Sequence, residues 1–150
     1  MRRLSAVVAV VAMALLGLIA VSGPAQASTP VALTINVHRD GGDTWSASGA
    51  FSDAGSFVES PGVPSFFAGS SSTLHVVRTF IGADGTFSTR ADVRITATDD
   101  PNVLAVTGRW AVLSGTGAYE NLSGAGAIAE LFDTSTGVVQ GTWQGEVLFH

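Results

Sequence analysis

Gly108-Arg-Trp-Ala-Val-Leu-Ser-Gly-Thr-Gly-Ala-Tyr-Glu-Asn-Leu-Ser-Gly-Ala-Gly126 is the stretch on which the fold turns. Its first part ends a long apolar-rich strand, Val103 to Leu113, and its last part opens another, Ser123 to Phe132. Between them lies a glycine-rich connector, Gly115 to Leu122. Gly115 and Gly117 permit the positive φ that a tight strand-to-strand connection demands. Tyr119 and Leu122 are placed to fold back as an apolar plug. The stretch therefore reads as the end-turn of a β-structure and carries no chemistry of its own.

Working outward, the pattern repeats. Val138 to Phe149 pairs with Ser123 to Phe132 around Asp133-Thr-Ser-Thr-Gly137. Upstream, Thr73 to Ile81 and Thr86 to Thr98 flank Gly82-Ala-Asp-Gly85, a hairpin signal. On Thr86 to Thr98, Phe87, Thr89, Ala91, Val93, Ile95 and Ala97 share one face, and Ser88, Arg90, Asp92, Arg94 and Thr96 the other. Val31 to His38 alternates through Val31, Leu33, Ile35 and Val37. Thr44 to Ser52 follows the Asp40-Gly-Gly-Asp43 turn. Asp53-Ala-Gly55 then turns into a short piece, Ser56 to Glu59, and Pro61-Gly-Val-Pro64 opens an irregular loop, Ser60 to Ser70, holding Phe66 and Phe67. Strands joined by short turns, with many glycines inside them, predict an all-β fold, a closed antiparallel up-and-down β-barrel of about eight strands. Closure also removes exposed edges.

Ser114-Gly-Thr-Gly-Ala-Tyr119, followed by Leu122-Ser-Gly-Ala-Gly126 and later by Gly141-Thr-Trp-Gln-Gly145, resembles the turn motif of the allene oxide cyclase/dirigent barrel-like superfamily, and especially its small secreted bacterial members. The resemblance implies an eight-stranded barrel whose lumen can hold a small ligand, and a homo-oligomer, often a trimer. No catalytic residue of those families matches a position here, so none is carried over.

The N-terminus predicts export. Arg2 and Arg3 precede an apolar run, Leu4 to Val21; Ser22-Gly-Pro24 stops it, and Ala25-Gln-Ala27 has the small-x-small form of a signal-peptidase site. Residues 1–27 are read as a signal-peptide helix and 28–150 as the mature barrel domain, secreted and free of the membrane after cleavage. The mature part carries five Arg, no Lys and twelve Asp and Glu, a net charge of −7. That balance repels phosphate backbones and argues against nucleic acid. Absence of Cys and Lys excludes thiol nucleophiles, thiolate metal sites and Schiff-base chemistry.

Candidate functional residues are few. Glu130 shares its strand face with Ile128 and Phe132, an odd place for an outward acid; it is the weak catalytic candidate. Its hairpin neighbour Glu146 lies with Gln140, Thr142 and Gln144, a solvent face. Arg90, Asp92 and Arg94 alternate opposite an Ala/Val/Ile face and read as an outer face. Trp45, Trp110 and Trp143, on three strands, could wall a ligand cavity, with Arg109 or Arg78 as polar partner to Glu130. They could equally fill the core. His38, His75 and His150 are scattered, so no metal site is expected, and no cofactor. Asp99, Asp100 and Asn102 read as turn formers.

Three functions follow. The first is a non-enzymatic barrel binding a small apolar or aromatic ligand in its lumen. The second is a cofactor-free cyclase or isomerase using Glu130, which requires Glu130 inside beside an arginine. The third is a structural or surface-interaction protein with a filled barrel.

Overall fold

The computed structural model describes residues 28–60 and 72–150. The expected signal segment, 1–27, and residues 61–71, including Phe66 and Phe67, lie outside the described residues. Eight strands are present: β1 (Val31–Arg39), β2 (Asp43–Gly49), β3 (Asp53–Ser60), β4 (Ser72–Gly82), β5 (Gly85–Ala97), β6 (Val103–Gly117), β7 (Leu122–Asp133) and β8 (Val139–Phe149). Each pairs antiparallel with the next, and β8 returns to β1, closing the barrel. Two boundaries differ from expectation. Asp53-Ala-Gly55 is not a turn but the start of β3, because Ala54 and Gly55 pair with Ser46 and Trp45 on β2. The connector after β6 is shorter than the glycines suggested, since Gly115 still pairs with Phe87 on β5.

Alternation sets the faces. Leu33, Ile35 and Val37 of β1, Phe87, Ala91, Val93 and Ile95 of β5, and Trp143 and Val147 of β8 all point inward and are buried. Arg90, Asp92 and Arg94, the intervening residues of β5, are exposed. Fully burying one such apolar side chain is worth about 1.5–3 kcal/mol, and an eight-stranded barrel is just narrow enough for side chains to fill it. The outward face mixes Thr, Ser, Gln and Arg with exposed apolar side chains such as Val31, Val58, Leu113 and Leu131.

The two ends differ. At the end where β2–β3, β4–β5 and β6–β7 connect, the β6–β7 turn folds inward as the sequence suggested. Tyr119 and Leu122 are buried there. Gly117 adopts φ +61°, as a left-handed turn requires, but Gly115 serves another purpose: a Cβ there would sit 1.9 Å from the Tyr119 carbonyl oxygen. The Tyr119 ring packs on Phe51 and Phe87, with centroids 4.8 and 5.2 Å away. Its hydroxyl donates to Asp53 Oδ2 at 2.6 Å. Asp53 Oδ1 also accepts from the Ala54 and Ala83 amides, and Oδ2 from the Asp84 amide, so one carboxylate ties three turns together.

Burial alone would raise the Asp53 pKa, but the Tyr119 hydroxyl and the three amides outweigh it and hold the carboxyl below its ordinary value. Burial, then the bond to Asp53, pushes the Tyr119 phenol well up. A depressed carboxyl stabilises the fold above its unfolded pKa, and that gain is lost as pH falls through the folded value. A raised phenol stabilises below the unfolded value near 10 and loses that gain as pH rises past it. Tyr119→Phe is therefore expected to cost about 1–2 kcal/mol at neutral pH. The gap to wild type should close as Asp53 is protonated in strong acid. Urea midpoints of both proteins across pH check this; an unchanged gap at pH 2 would contradict it.

Candidate functional site

Four charged side chains interrupt the apolar alternation on the inner face, all toward the end opposite the Tyr119 plug. Arg39 continues the series Leu33, Ile35, Val37. Glu59 follows Phe57 by two residues, Arg78 lies between Val76 and Phe80, and Glu130 between Ile128 and Phe132. Period-two alternation sends each of them inward, and the barrel register brings them together. Arg78 is 4% exposed and Glu130 6%.

They form one continuous network. Arg78 Nη1 donates to Glu130 Oε1 at 2.6 Å, and the Trp143 indole N–H donates to the same oxygen at 2.6 Å. Arg78 Nε donates to Glu59 Oε1 at 3.0 Å, and Nη2 donates to that oxygen as well. Arg39 Nη2 donates to Glu59 Oε2 at 3.0 Å. Arg39 Nε and Nη2 donate to Asp43 at 2.5 and 3.1 Å, nearer solvent. The Arg78 guanidinium lies over the rings of Phe57 and Trp143, 4.5 and 4.7 Å from their centroids. Burial alone would lower the Arg39 pKa; the bonds and charges of Asp43 and Glu59 raise it instead.

Beside this network lies a cavity. Its walls are apolar, from Leu74, Val76, Val93, Ile95 and Val106 among others, and its polar side is Arg39, Glu59, Arg78 and Glu130. It holds about 50 Å³ of room for water-sized groups. One water needs roughly 10–15 Å³ on that measure, so the space suits about four waters or part of a small ring. The rest of the lumen is packed: Phe80 stacks on Phe87 at 4.8 Å and meets Trp45 and Trp143 edge-on at 5.4 Å.

The sequence-derived candidates separate accordingly. Glu130 is inside and bonded to Arg78. Trp143 lines the cavity. Trp45 and Trp110 are buried but belong to the packed core, not to the cavity wall. Trp45 donates to the Ile81 carbonyl at 3.2 Å. Trp110 stacks on Trp143 at 6.2 Å, and its Nε1 is buried with no hydrogen-bond partner among the described residues. Arg109 is a correction: it neighbours the inward Trp110 on β6, so alternation sends it outward, and it is exposed. Glu146 is exposed, as its polar neighbours suggested. The outer face places His75 Nδ1 2.6 Å from Asp92 Oδ1. Sequence reading missed Arg39, Glu59 and Asp43. The missed signal was a charged residue continuing an apolar alternation.

Neither protein-family models nor curated proteins nor solved structures match this chain.

Proposed function

We propose that the protein binds a small, mostly apolar molecule in the open part of its barrel lumen, with one face of the ligand against the Arg78–Glu130 network. The observation that carries this reading is a four-member ion-pair chain, its Arg78–Glu130 part buried and its Arg39–Glu59 part half-buried, set against an otherwise apolar cavity. Buried ion pairs are poor stabilisers, because their desolvation cost roughly cancels their attraction, and apolar side chains of similar volume do as well or better. Charges kept at the wall of an open cavity are better explained by something they meet there. Ligand cavities combine apolar walls with a few placed polar groups in this way. The likeness of the Ser114–Gly126 motif to lumen-binding barrels supports the same reading, as does the signal-like N-terminus for a secreted binding protein.

A thermal-shift series with cyclohexanol tests it. A ligand at a hundred times its Kd stabilises the folded state by about 2.7 kcal/mol, so the wild-type melting temperature should rise and saturate. Val139→Phe, which fills the cavity from β8, should abolish the rise while still melting cooperatively; Ile95→Phe provides a second filled variant. An equal rise in wild type and both filled variants would overturn the reading.

A second reading rests on Glu130. Its place inside, bonded to Arg78, meets the geometric requirement for a cofactor-free cyclase or isomerase with a lumen acid. It requires turnover that Glu130→Gln abolishes while ligand binding persists.

A further inference from the structure

We propose that the cavity selects a neutral head group, a hydroxyl or its equivalent donated to Glu130, and rejects both carboxylates and amines. This inference rests on the ligand-binding reading above and specifies its ligand class.

Charge decides against anions. The network contains three carboxylates, Asp43, Glu59 and Glu130, and two guanidiniums, Arg39 and Arg78. Every carboxylate already has an arginine, and the sum is −1 with no cation left over. A carboxylate ligand would enter as a fourth anion beside two cations already shared. In an apolar cavity it would also lose its hydration without a dedicated counter-charge.

Position decides against cations. The aromatic faces that would hold an ammonium, those of Phe57 and Trp143, are occupied by the Arg78 guanidinium, and Phe57 also faces that of Arg39 at 5.4 Å. An amine reaching the carboxylates would approach these two guanidiniums and be repelled.

A neutral donor has a place. Both bonds that Glu130 accepts fall on Oε1. Its Oε2 accepts from no described residue, although the side chain borders the cavity. A hydroxyl donating to Oε2 would leave the ion pairs intact, with its ring against Val76, Val93 and Val106.

The test compares three probes of one shape, cyclohexanol, cyclohexanecarboxylate and cyclohexylamine, by calorimetric titration of the full barrel domain at neutral pH. The alcohol should bind at least tenfold more tightly than either ion. Glu130→Gln removes one negative charge, and Asp43→Asn removes one at the rim without touching the buried pairs. Each should narrow the gap between alcohol and carboxylate, and Asp43→Asn serves if the Glu130 variant does not fold. Binding of carboxylate or amine as tight as the alcohol would overturn this inference and leave the binding reading standing. Binding of none of the three would overturn both. An unchanged preference in Asp43→Asn and Glu130→Gln would show that the network charge does not set it.

Discussion

Arg78→Met should destabilise the barrel by about 3–5 kcal/mol, one of the two largest effects expected in this molecule. Methionine retains the apolar stem but removes the guanidinium that bonds Glu59 and Glu130 at once. Buried Glu130 and half-buried Glu59 then lose their principal cation, and breaking a buried pair from one side costs this much because the survivor stays buried and charged. Glu130 keeps the Trp143 indole donor, and Glu59 keeps Arg39, which holds the loss within that range. Removing Arg78 together with both of its carboxylates should cost far less. A triple variant, Arg78→Met with Glu59→Gln and Glu130→Leu, is expected to recover most of the stability, since neutral side chains there leave no buried charge without its partner. Denaturant midpoints of the single and triple variants decide it. A triple variant no more stable than Arg78→Met would mean that the ion pairs are a net structural gain, and would weaken the functional reading of the network.

Trp143→Ala is the second, again at about 3–5 kcal/mol, the usual range for truncating a buried Trp or Phe. Its ring meets Phe80 edge-on, stacks on Trp110 and lies under Arg78, and its N–H is bonded to Glu130. The conservative changes separate these roles. Trp143→Phe keeps an aromatic ring but takes the hydrogen bond from a buried carboxylate, at about 1.5–3 kcal/mol. Trp110→Phe removes an N–H that has no partner among the described residues, so it should cost distinctly less. Equal costs for Trp143→Phe and Trp110→Phe, measured by urea unfolding, would contradict the assigned bond.

Much of the fold was legible because it depends on local pattern. Period-two alternation placed Phe87, Thr89, Ala91, Val93 and Ile95 inside and Arg90, Asp92 and Arg94 outside, and the glycine turn placed Tyr119 and Leu122 as a plug. The same rule applied to Trp110 would have sent Arg109 outward, where it lies. Glu130 was legible for that reason too, standing between Ile128 and Phe132. Its partners were not, because the contacts depend on register. Arg78 and Glu130 are 52 residues apart in sequence and Arg39 and Glu59 are 20 apart. Alternation tells which way each side chain points but not at what height around a closed barrel it meets another. The Asp53 turn was misjudged for a related reason: its composition suits a turn, and pairing of Ala54 with Ser46 draws it into β3.

These features divide the lumen into two unequal parts. The aromatic core around Phe80 and Phe87 and the Tyr119–Asp53 latch make one end solid. The other end carries all the buried charge among the described residues, together with the cavity. The first is tightly packed and the second holds the ion-pair network and the free space, so ligand effects should be local to one end.

The three tryptophan indole N–H groups report that division directly. Trp143 donates to Glu130 at the cavity, Trp45 donates to Ile81 in the packed part, and Trp110 stacks on Trp143. A titration of nitrogen-15-labelled protein with cyclohexanol, followed by two-dimensional NMR, should move the Trp143 indole resonance saturably and leave that of Trp45 in place. Motion of all three together, or of none up to the solubility of the alcohol, would contradict binding in the lumen beside the Arg78–Glu130 network.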